Sequence, residues 1–219
     1  MLKRIIASVG IGVVLIGGGL VAPAQASRQA RSNTGGTVAT RGAWASTTAR
    51  LANLKVFATP VLAYTSKTCV INLNAIPDLT VVNSVTGCGV KVHFSVPMQK
   101  RTVPAGGWAA WGSPPNTETS TPKVLWTQSG VTQVVLTYSA TKRIVGVEAD
   151  PEAGSLHTIK ATFRRLSGSK IGTISRDVNG FTDAKLFAGK VKSTAKSARV
   201  KTLTLSSDDD FAIARIRIG

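Results

Sequence analysis

The chain is 219 residues long and strongly basic, with 27 Lys and Arg against 10 Asp and Glu and a net charge of +17. Its length fits one large all-β domain or two small domains, and we expect one. The charge predicts attraction to cell-wall phosphate polymers, acidic polysaccharides, anionic lipid headgroups or nucleic acid, and the alternative is that it only keeps the protein soluble. Charge alone does not choose among these partners.

A secretory signal peptide is predicted over residues 1–26. Lys3 and Arg4 precede an apolar stretch over residues 5–21, and residues 24–26 form a small-x-small cleavage site. The alternative is a retained membrane anchor, but three glycines interrupt the apolar stretch and no basic stop-transfer residues follow it. We therefore expect a secreted bacterial protein. Loss of Lys3 and Arg4 from the 27 basic residues, against 10 acidic ones, leaves a net charge of +15.

Residues 27–50 are predicted to be a flexible basic leader. They are rich in Ser, Thr, Gly and Ala, and all their charged residues are arginines. Such a composition cannot bury enough apolar surface to fold alone. The alternative is an arm that grips a polyanion, with Trp44 as the one residue that could dock on the folded domain.

The two cysteines, Cys69 and Cys88, are predicted to form a disulfide. A lone pair of cysteines usually does so in an oxidising compartment. The alternative is two free buried thiols, and a metal site is disfavoured because no histidine pattern completes a set of four ligands. Closing a loop of this length stabilises a fold by roughly 3 kcal/mol in the chain-entropy model.

Residues 51–219 are predicted to form a single all-β domain of antiparallel strands. Residues 134–178 contain four consecutive strands separated by turn residues. In the third of them, Ile159, Ala161 and Phe163 alternate with polar residues, the pattern of a strand that is buried on one face. This pattern predicts an antiparallel sheet with one face in water.

Two hairpins are predicted from local turn signals. One joins residues 134–138 to residues 144–149, and the other turns at Asn179-Gly180, where both residues tolerate the positive φ of a type I′ turn. Residues 200–205 and 211–218 are predicted to be the closing strands.

Residues 106–126 contain three of the four tryptophans and are predicted to include a surface loop, because no strand or helix period runs through residues 113–122. Trp108 and Trp111, with Trp126 as a weaker candidate, are candidate ligand-binding residues that could form an aromatic platform on which sugar rings stack. Core packing is favoured over the platform, since tryptophan carries a large apolar area and is usually mostly buried.

Two acidic pairs, Glu148 with Asp150 and Asp208 with Asp210, are candidate ligands of a Ca²⁺ ion. The alternative is that they neutralise nearby Lys and Arg side chains. Glu148 and Asp150 lie two residues apart on a predicted strand and therefore share a face. Such a pair could serve glycoside hydrolysis, but more often it reinforces a charge or metal site.

A basic segment over residues 185–199 holds several cations and no acid, and Lys185, Lys190 and Lys192 are its candidate ligand-binding residues. It has no helical apolar stripe, so an amphipathic membrane helix is not predicted. Phe187 is its one aromatic residue, which argues against stacking on nucleic acid. We expect no integral membrane association and a monomer.

From His93 to Gly219 the order of features resembles a family of secreted bacterial modules with a jelly-roll-like β-sandwich. The matching segments are VHFSVP (92–97), WAAWGSPPN (108–116), GVEADPE (146–152), TIKATFRR (158–165), IGTISRDVNG (171–180) and SSDDDFAIARIRI (206–218). The resemblance implies an antiparallel, jelly-roll-like β-sandwich, an extracellular or surface-associated location, no assigned reaction and carbohydrate as a frequent ligand. The chain differs in being more basic and in ending without an anchoring tail, so we expect no covalent or membrane anchor.

The sequence favours a non-catalytic module that binds extracellular or cell-wall polysaccharide, aided by positive charge. An enzyme should show a positioned nucleophile or acid–base pair. With only His93 and His157, no GxSxG motif and no Cys/His pair, no such set is recognisable. The alternatives are a secreted toxin or inhibitor acting on envelopes or proteins and, less favoured, a glycan-cleaving enzyme. We expect no cofactor other than Ca²⁺.

Overall fold

A computed structural model of the chain describes residues 52–105, 107–152 and 154–219, so the predicted signal peptide and leader lie outside the described residues. The strands are β1 (Leu54–Phe57), β2 (Cys69–Val70), β3 (Val81–Gly87), β4 (Val90–Thr102), β5 (Lys123–Trp126), β6 (Gln133–Lys142), β7 (Ile144–Pro151), β8 (Leu156–Arg164), β9 (Lys170–Asn179), β10 (Lys185–Val191), β11 (Val200–Ser206) and β12 (Phe211–Ile218). Two short helices, α1 (Leu62–Thr65) and a 3₁₀ turn (Lys196–Ala198), accompany them.

The strands form two antiparallel layers that share one long strand. Hydrogen bonding runs in the order β1-β10-β7-β12-β5-β4-β6-β11-β8-β9, with β2 on β12 and β3 on β4. One end of β4 pairs with β5 and the other with β6, while β9 packs against β7 and β10 across the core. We call β1, β10, β7, β12 and β5 layer I, and β6, β11, β8 and β9 layer II. The predicted all-β, antiparallel, jelly-roll-like β-sandwich is confirmed.

Both predicted hairpins are wrong. β6 pairs with β4 and β11, whereas β7 pairs with β10 and β12. Likewise β9 pairs with β8, whereas β10 pairs with β1 and β7. At Arg143 and again at Asn179-Gly180 the chain crosses from one layer to the other. A strong local turn signal therefore joins strands that do not pair with each other.

The predicted disulfide between Cys69 and Cys88 is present. Cys88 and Gly89 form the two-residue turn between β3 and β4, and both have positive φ, 55° and 67°, as a type I′ turn requires. The disulfide thus joins this hairpin to β2, which pairs with the end of β12.

The main core lies between the layers and follows the predicted alternation. Its fully buried members include three side chains from β7 and three from β8: Val145, Val147, Ala149, Ile159, Ala161 and Phe163. Each large apolar side chain buried in this way contributes about 1.5–3 kcal/mol before the entropy cost of ordering the chain.

β7 is buried on both faces along its whole length. Its outer face carries Gly146, Glu148 and Asp150, which are covered by Tyr64 of α1 and by the segment over residues 107–122. Small apolar clusters accompany this cover, so the outer face of layer I has a second interior of its own.

The close approach at Gly146 gives the first prediction. A Cβ at this position would lie 2.5 Å from the Cβ of Ala188 and closer still to the hydroxyl of Tyr64. Gly146→Ala should therefore lower the free energy of unfolding by about 1–3 kcal/mol, measured by urea denaturation. Gly154→Ala is the control, because its nearest neighbour would be 3.9 Å away. Equal stability of the two variants would contradict this account of the second interior.

Candidate functional site

Three tryptophans, two on the cover of layer I and one at the end of β5, donate their indole N–H groups to three carboxylates. Trp108 donates to Asp150 at 3.3 Å and Trp111 donates to Glu148 at 3.1 Å. Trp126 donates to Asp210 at 3.0 Å. We call these the indole–carboxylate pairs. They join the residues predicted to stack on sugar to residues predicted to bind calcium.

The predicted aromatic platform is corrected by the burial of its members. Trp108 is 1% exposed and Trp111 is 4% exposed, so neither ring can stack on a ligand in this structure. The Arg101 guanidinium lies over the Trp126 ring, 3.9 Å from its centroid. Within the described ranges no Phe, Tyr or Trp side chain is classed as exposed. Core packing, the interpretation that the sequence favours for Trp108 and Trp111, is what the structure shows.

Asp150 is a fully buried carboxyl group whose two oxygens differ. Oδ2 accepts hydrogen bonds from the indole of Trp108 and from the backbone N–H of Phe181, whereas Oδ1 is buried and has no partner among the described residues. Burial raises the pKa of Asp150 to about 7, against the smaller lowering effect of these two hydrogen bonds.

Glu148 is equally buried, but both of its oxygens are used. Oε2 accepts from Trp111 at 3.1 Å, and Oε1 accepts from the backbone N–H of Glu118 at 2.7 Å. Burial raises the pKa of Glu148 to about 7 despite these bonds. The covering segment thus supplies a donor to each of its oxygens.

The predicted calcium ligands are each engaged by protein donors. Asp210 accepts from Trp126, and Asp208 accepts from His157 at 3.0 Å. Across the three described ranges no group of three or more His, Cys, Asp or Glu side chains is arranged to hold a metal ion. The structure therefore does not assemble Glu148, Asp150, Asp208 and Asp210 into a calcium site.

The predicted basic segment divides into separate places on the surface. Lys185 pairs with Asp183, whereas Lys190 lies directly opposite Lys55 in the pairing of β10 with β1. Partial desolvation, and then the charges of Arg143, Lys67 and Lys55, lower the pKa of Lys190. We call Lys55, Lys67, Arg143 and Lys190 the cation cluster, and Lys192 follows two residues after Lys190.

The cation cluster has no acidic counterpart in the described part of the chain. None of its four members lies within 4.0 Å of a carboxylate oxygen there. Arg143 is oriented by its bonds to the carbonyl oxygens of Val191 and Lys192. Since like charges placed directly opposite in a sheet destabilise it, an anion bound here would relieve the repulsion.

Ser155, His157 and Asp208 form an arrangement that sequence analysis missed. His157 Nε2 lies 2.7 Å from Ser155 Oγ, and Nδ1 lies 3.0 Å from Asp208 Oδ1. If Nδ1 carries the proton, Nε2 accepts from the serine, which is the connectivity of a Ser-His-Asp triad. Asp208 is 51 residues from His157 in sequence, so no local sequence motif indicates these three residues. The Asp208 side chain is 64% exposed, so water screens the charge of its carboxylate.

Two surface cavities adjoin layer I. The first, of about 380 Å³, is lined by polar residues that include Asn72, Lys123 and Arg215. The second, of about 360 Å³, is lined largely by prolines and threonines near Glu118. Neither is lined by the tryptophans that the sequence nominated for ligand binding.

The buried carboxyl groups predict that stability falls as pH rises from 5.5 to 8. Their folded pKa values of about 7 exceed the ordinary values near 4, so the folded state holds protons that the unfolded state has released. Between these pKa values each rise in pH favours unfolding, and the loss is complete about one unit above pH 7. We expect the free energy of unfolding to fall by roughly 2 kcal/mol for each of the two groups, about 4 kcal/mol together, measured by urea denaturation.

Two amide substitutions separate the two carboxyl groups. Asp150→Asn keeps one oxygen for Trp108 and Phe181 and places its NH₂ at the unpartnered position, so it should be more stable than the parent at pH 8 and less pH-dependent. Glu148→Gln must turn its NH₂ toward a donor, so it should lose about 1–3 kcal/mol at both pH values. Identical behaviour of the two variants would refute the assignment of their partners.

The described residues include no helix that is long and apolar enough to cross a membrane.

No protein-family profile matches the chain, and no curated protein matches its sequence. Among solved structures, a DUF4465 family protein from Bacteroides caccae has a TM-score of 0.44 at 10% identity, over 70% of this chain and 99% of that one. A family 11 carbohydrate-binding module from Clostridium thermocellum, in complex with a mixed-linked tetrasaccharide, has a TM-score of 0.31 at 11% identity, over 68% and 94%. The CBM22-1 and GH10 modules of a Clostridium thermocellum xylanase have a TM-score of 0.33 at 10% identity, over 75% and 28%. With TM-scores below 0.5, these likenesses carry no argument about family or ligand.

Proposed function

We propose that this chain is a secreted, non-catalytic module that binds an extracellular or cell-wall polysaccharide carrying negative charge. The observation that carries the proposal is the cation cluster, in which Lys55 and Lys190 face each other across two strands without a carboxylate partner among the described residues. Secretion is supported by the predicted signal peptide and by the disulfide, since such bonds persist in oxidising compartments.

A polymer is favoured over a small anion by the spread of the positive charge. Lys192, directly after the end of β10, adds a further positive charge near the cation cluster, and the whole chain carries a net charge of +17. Long-range attraction of this kind brings an anionic chain to the surface and is weakened by salt. A nucleic acid is disfavoured, because nonspecific single-strand binding relies on aromatic stacking and the described surface offers no exposed aromatic ring.

Binding to polygalacturonate tests the proposal with the full chain. Replacing Lys55 and Lys190 by Gln together should raise the dissociation constant roughly ten-fold at 50 mM salt, because two facing charges are lost. The control variant replaces Lys160 and Lys170 by Gln, which removes the same charge from exposed positions of layer II. It should change the constant less than the first variant does. Isothermal titration calorimetry measures both.

Two results would count against the proposed function. Equal weakening by both double variants would mean that net charge alone is responsible. Absence of binding by the parent chain to polygalacturonate and to poly(glycerol phosphate) would remove anionic polymers as ligands altogether. Dextran, which is neutral, serves as the reference polymer.

A second candidate function is ester hydrolysis, favoured by the geometry of Ser155, His157 and Asp208. In this reaction Ser155 Oγ would attack an ester carbonyl while His157 Nε2 takes its proton and passes it to the departing alkoxide. Water would then attack the acyl-serine by the same route, releasing the acid and regenerating the serine. Acyl groups on a polysaccharide are substrates of the matching chemistry.

Hydrolysis of p-nitrophenyl acetate tests this second candidate. Ser155→Ala should lower the rate at least about 100-fold, whereas Ser175→Ala, at an exposed serine of the neighbouring strand, should leave it unchanged. If the two variants hydrolyse the ester at the parent rate, the three residues are a surface hydrogen-bond network without catalytic function.

A further inference from the structure

The 380 Å³ cavity beside layer I has the lining of a site for one charged sugar. Its polar residues are Asn72, Asn74, Thr121, Lys123 and Arg215. Ligand sites begin at about 300 Å³, so a cavity of this size suits one small unit and not a bulky ligand. The lining begins at Val70, three residues after Lys67 of the cation cluster, which places the cavity next in the chain to the surface proposed to attract a polymer.

Of the two amide side chains at the cavity, that of Asn72 is held by a hydrogen bond, and both have hydrogen-bonding capacity to spare. Asn72 Oδ1 accepts the backbone N–H of Asn74 at 2.9 Å, which fixes the loop between them. The Asn72 NH₂ group and the Asn74 side chain bond to no other residue in the described ranges. Together with the Thr121 hydroxyl they offer donors and acceptors of the kind that hydroxyl groups of a sugar use.

Arg215 reaches the cavity because of an irregularity in β12. Between Ala214 and Arg217 the pairing with β7 shifts register, and β12 gains one residue relative to its partner. Arg215 occupies this bulge with a φ of 49°, a conformation that disfavours residues with a Cβ. Strained residues of this kind cluster where the side chain has a function. Glycine would fit the same backbone at less cost, so the side chain itself is the feature to explain.

Among the described residues Lys123 pairs with no carboxylate, and Arg215 shares the carboxylate of Glu118 with Arg217. The Glu118 carboxylate lies 3.8 Å from Arg215 but is held by Arg217, whose Nη2 donates to it at 2.7 Å. Asp78, the acid whose pKa Lys123 helps to lower, is bonded to Lys100 and Thr102. The Nε atom of Arg215 is buried and makes no hydrogen bond within the described residues. The cavity is therefore positively charged.

We propose that this cavity is a subsite for a uronic acid residue, whose carboxylate pairs with the guanidinium of Arg215 and with Lys123 while its hydroxyls bond to Asn72, Asn74 and Thr121. The planar fork of arginine matches a carboxylate with two parallel hydrogen bonds, which a lysine cannot do. The inference rests on the proposed function and names the sugar that it recognises. The cation cluster attracts the anionic polymer, and the cavity selects its carboxylate-bearing sugar unit.

The test is a titration of the full chain with digalacturonate and trigalacturonate at 150 mM salt. NMR chemical shifts of the protein monitor binding. At this salt charges more than about 8 Å apart are largely screened, so paired contacts dominate. Inorganic phosphate and glycerol phosphate are two further probes. A third is the methyl ester of each oligosaccharide, which lacks the negative charge of the carboxylate. We expect shifts at the cavity residues with the galacturonates and at least roughly ten-fold weaker binding of the esters.

Variants of Arg215 separate binding from folding. Arg215→Gly should retain or raise the free energy of unfolding, because glycine accepts the positive φ. The same variant should raise the dissociation constant for digalacturonate at least roughly ten-fold. Arg215→Lys should bind with intermediate affinity, and Arg164→Gln, at an exposed arginine of layer II, should bind as the parent does.

The outcomes distinguish the subsite from the proposed function. If the parent binds polygalacturonate, and Arg215→Gly binds digalacturonate as tightly as the parent does, the proposed subsite is wrong and the proposed function stands. Binding of the phosphates in preference to galacturonate would also overturn the uronic acid assignment. If the parent binds neither polygalacturonate, nor poly(glycerol phosphate), nor the oligosaccharides, both proposals fail together.

Discussion

Two carboxyl groups in the middle of a sheet are the constraint on which layer I depends. Glu148 and Asp150 lie on the outer face of β7, where neither has access to water. A buried polar group without partners costs several kcal/mol, and an ionised one costs more. The segment over residues 107–122 removes part of this cost by bringing indole and backbone donors to them. A stretch without regular secondary structure is thereby made an obligatory part of the fold.

The same demand for partners leaves the surface positively charged. The chain has only 10 acidic residues, and three of them accept indole N–H groups, two of these three beneath the cover. Asp78, Glu118 and Asp183 are each committed to a neighbouring cation. Few carboxylates remain for the other lysines and arginines. The excess charge at the cation cluster is thus the counterpart of how the acids are used elsewhere.

Periodic patterns predicted the strands, whereas the partners of the strands were beyond local reasoning. The alternation of Ile159, Ala161 and Phe163 appears directly in β8, and the shared face of Glu148 and Asp150 follows from their spacing. Asn179-Gly180 carried a strong turn signal, yet neither residue has the positive φ of a type I′ turn, which is found instead at Phe181 with a φ of 64°, and the chain passes here from one layer to the other.

The candidate site was less accessible to sequence reasoning than the fold. Trp108 and Asp150 are 42 residues apart, and His157 gains its partner Asp208 only through the pairing of β8 and β11. The indole of Trp108 reads equally well as a core residue or a sugar platform until its partner is known. Arg215 had no signal at all, because its position depends on a bulge that sequence alone does not reveal.

The central place of β12 has a consequence for how the fold is reached. β12 pairs with β7 on one side and with β5 on the other, and it also pairs with β2. These three strands therefore lack a hydrogen-bonding partner until residues 211–218 join the sheet. Contacts such as that of Arg217 with Thr68 span 149 residues, and topologies rich in distant contacts fold slowly. Until then β7 and β5 present unpaired edges, which can join the strands of another chain. The slowest stage of folding is therefore also the stage at which this protein is most open to self-association.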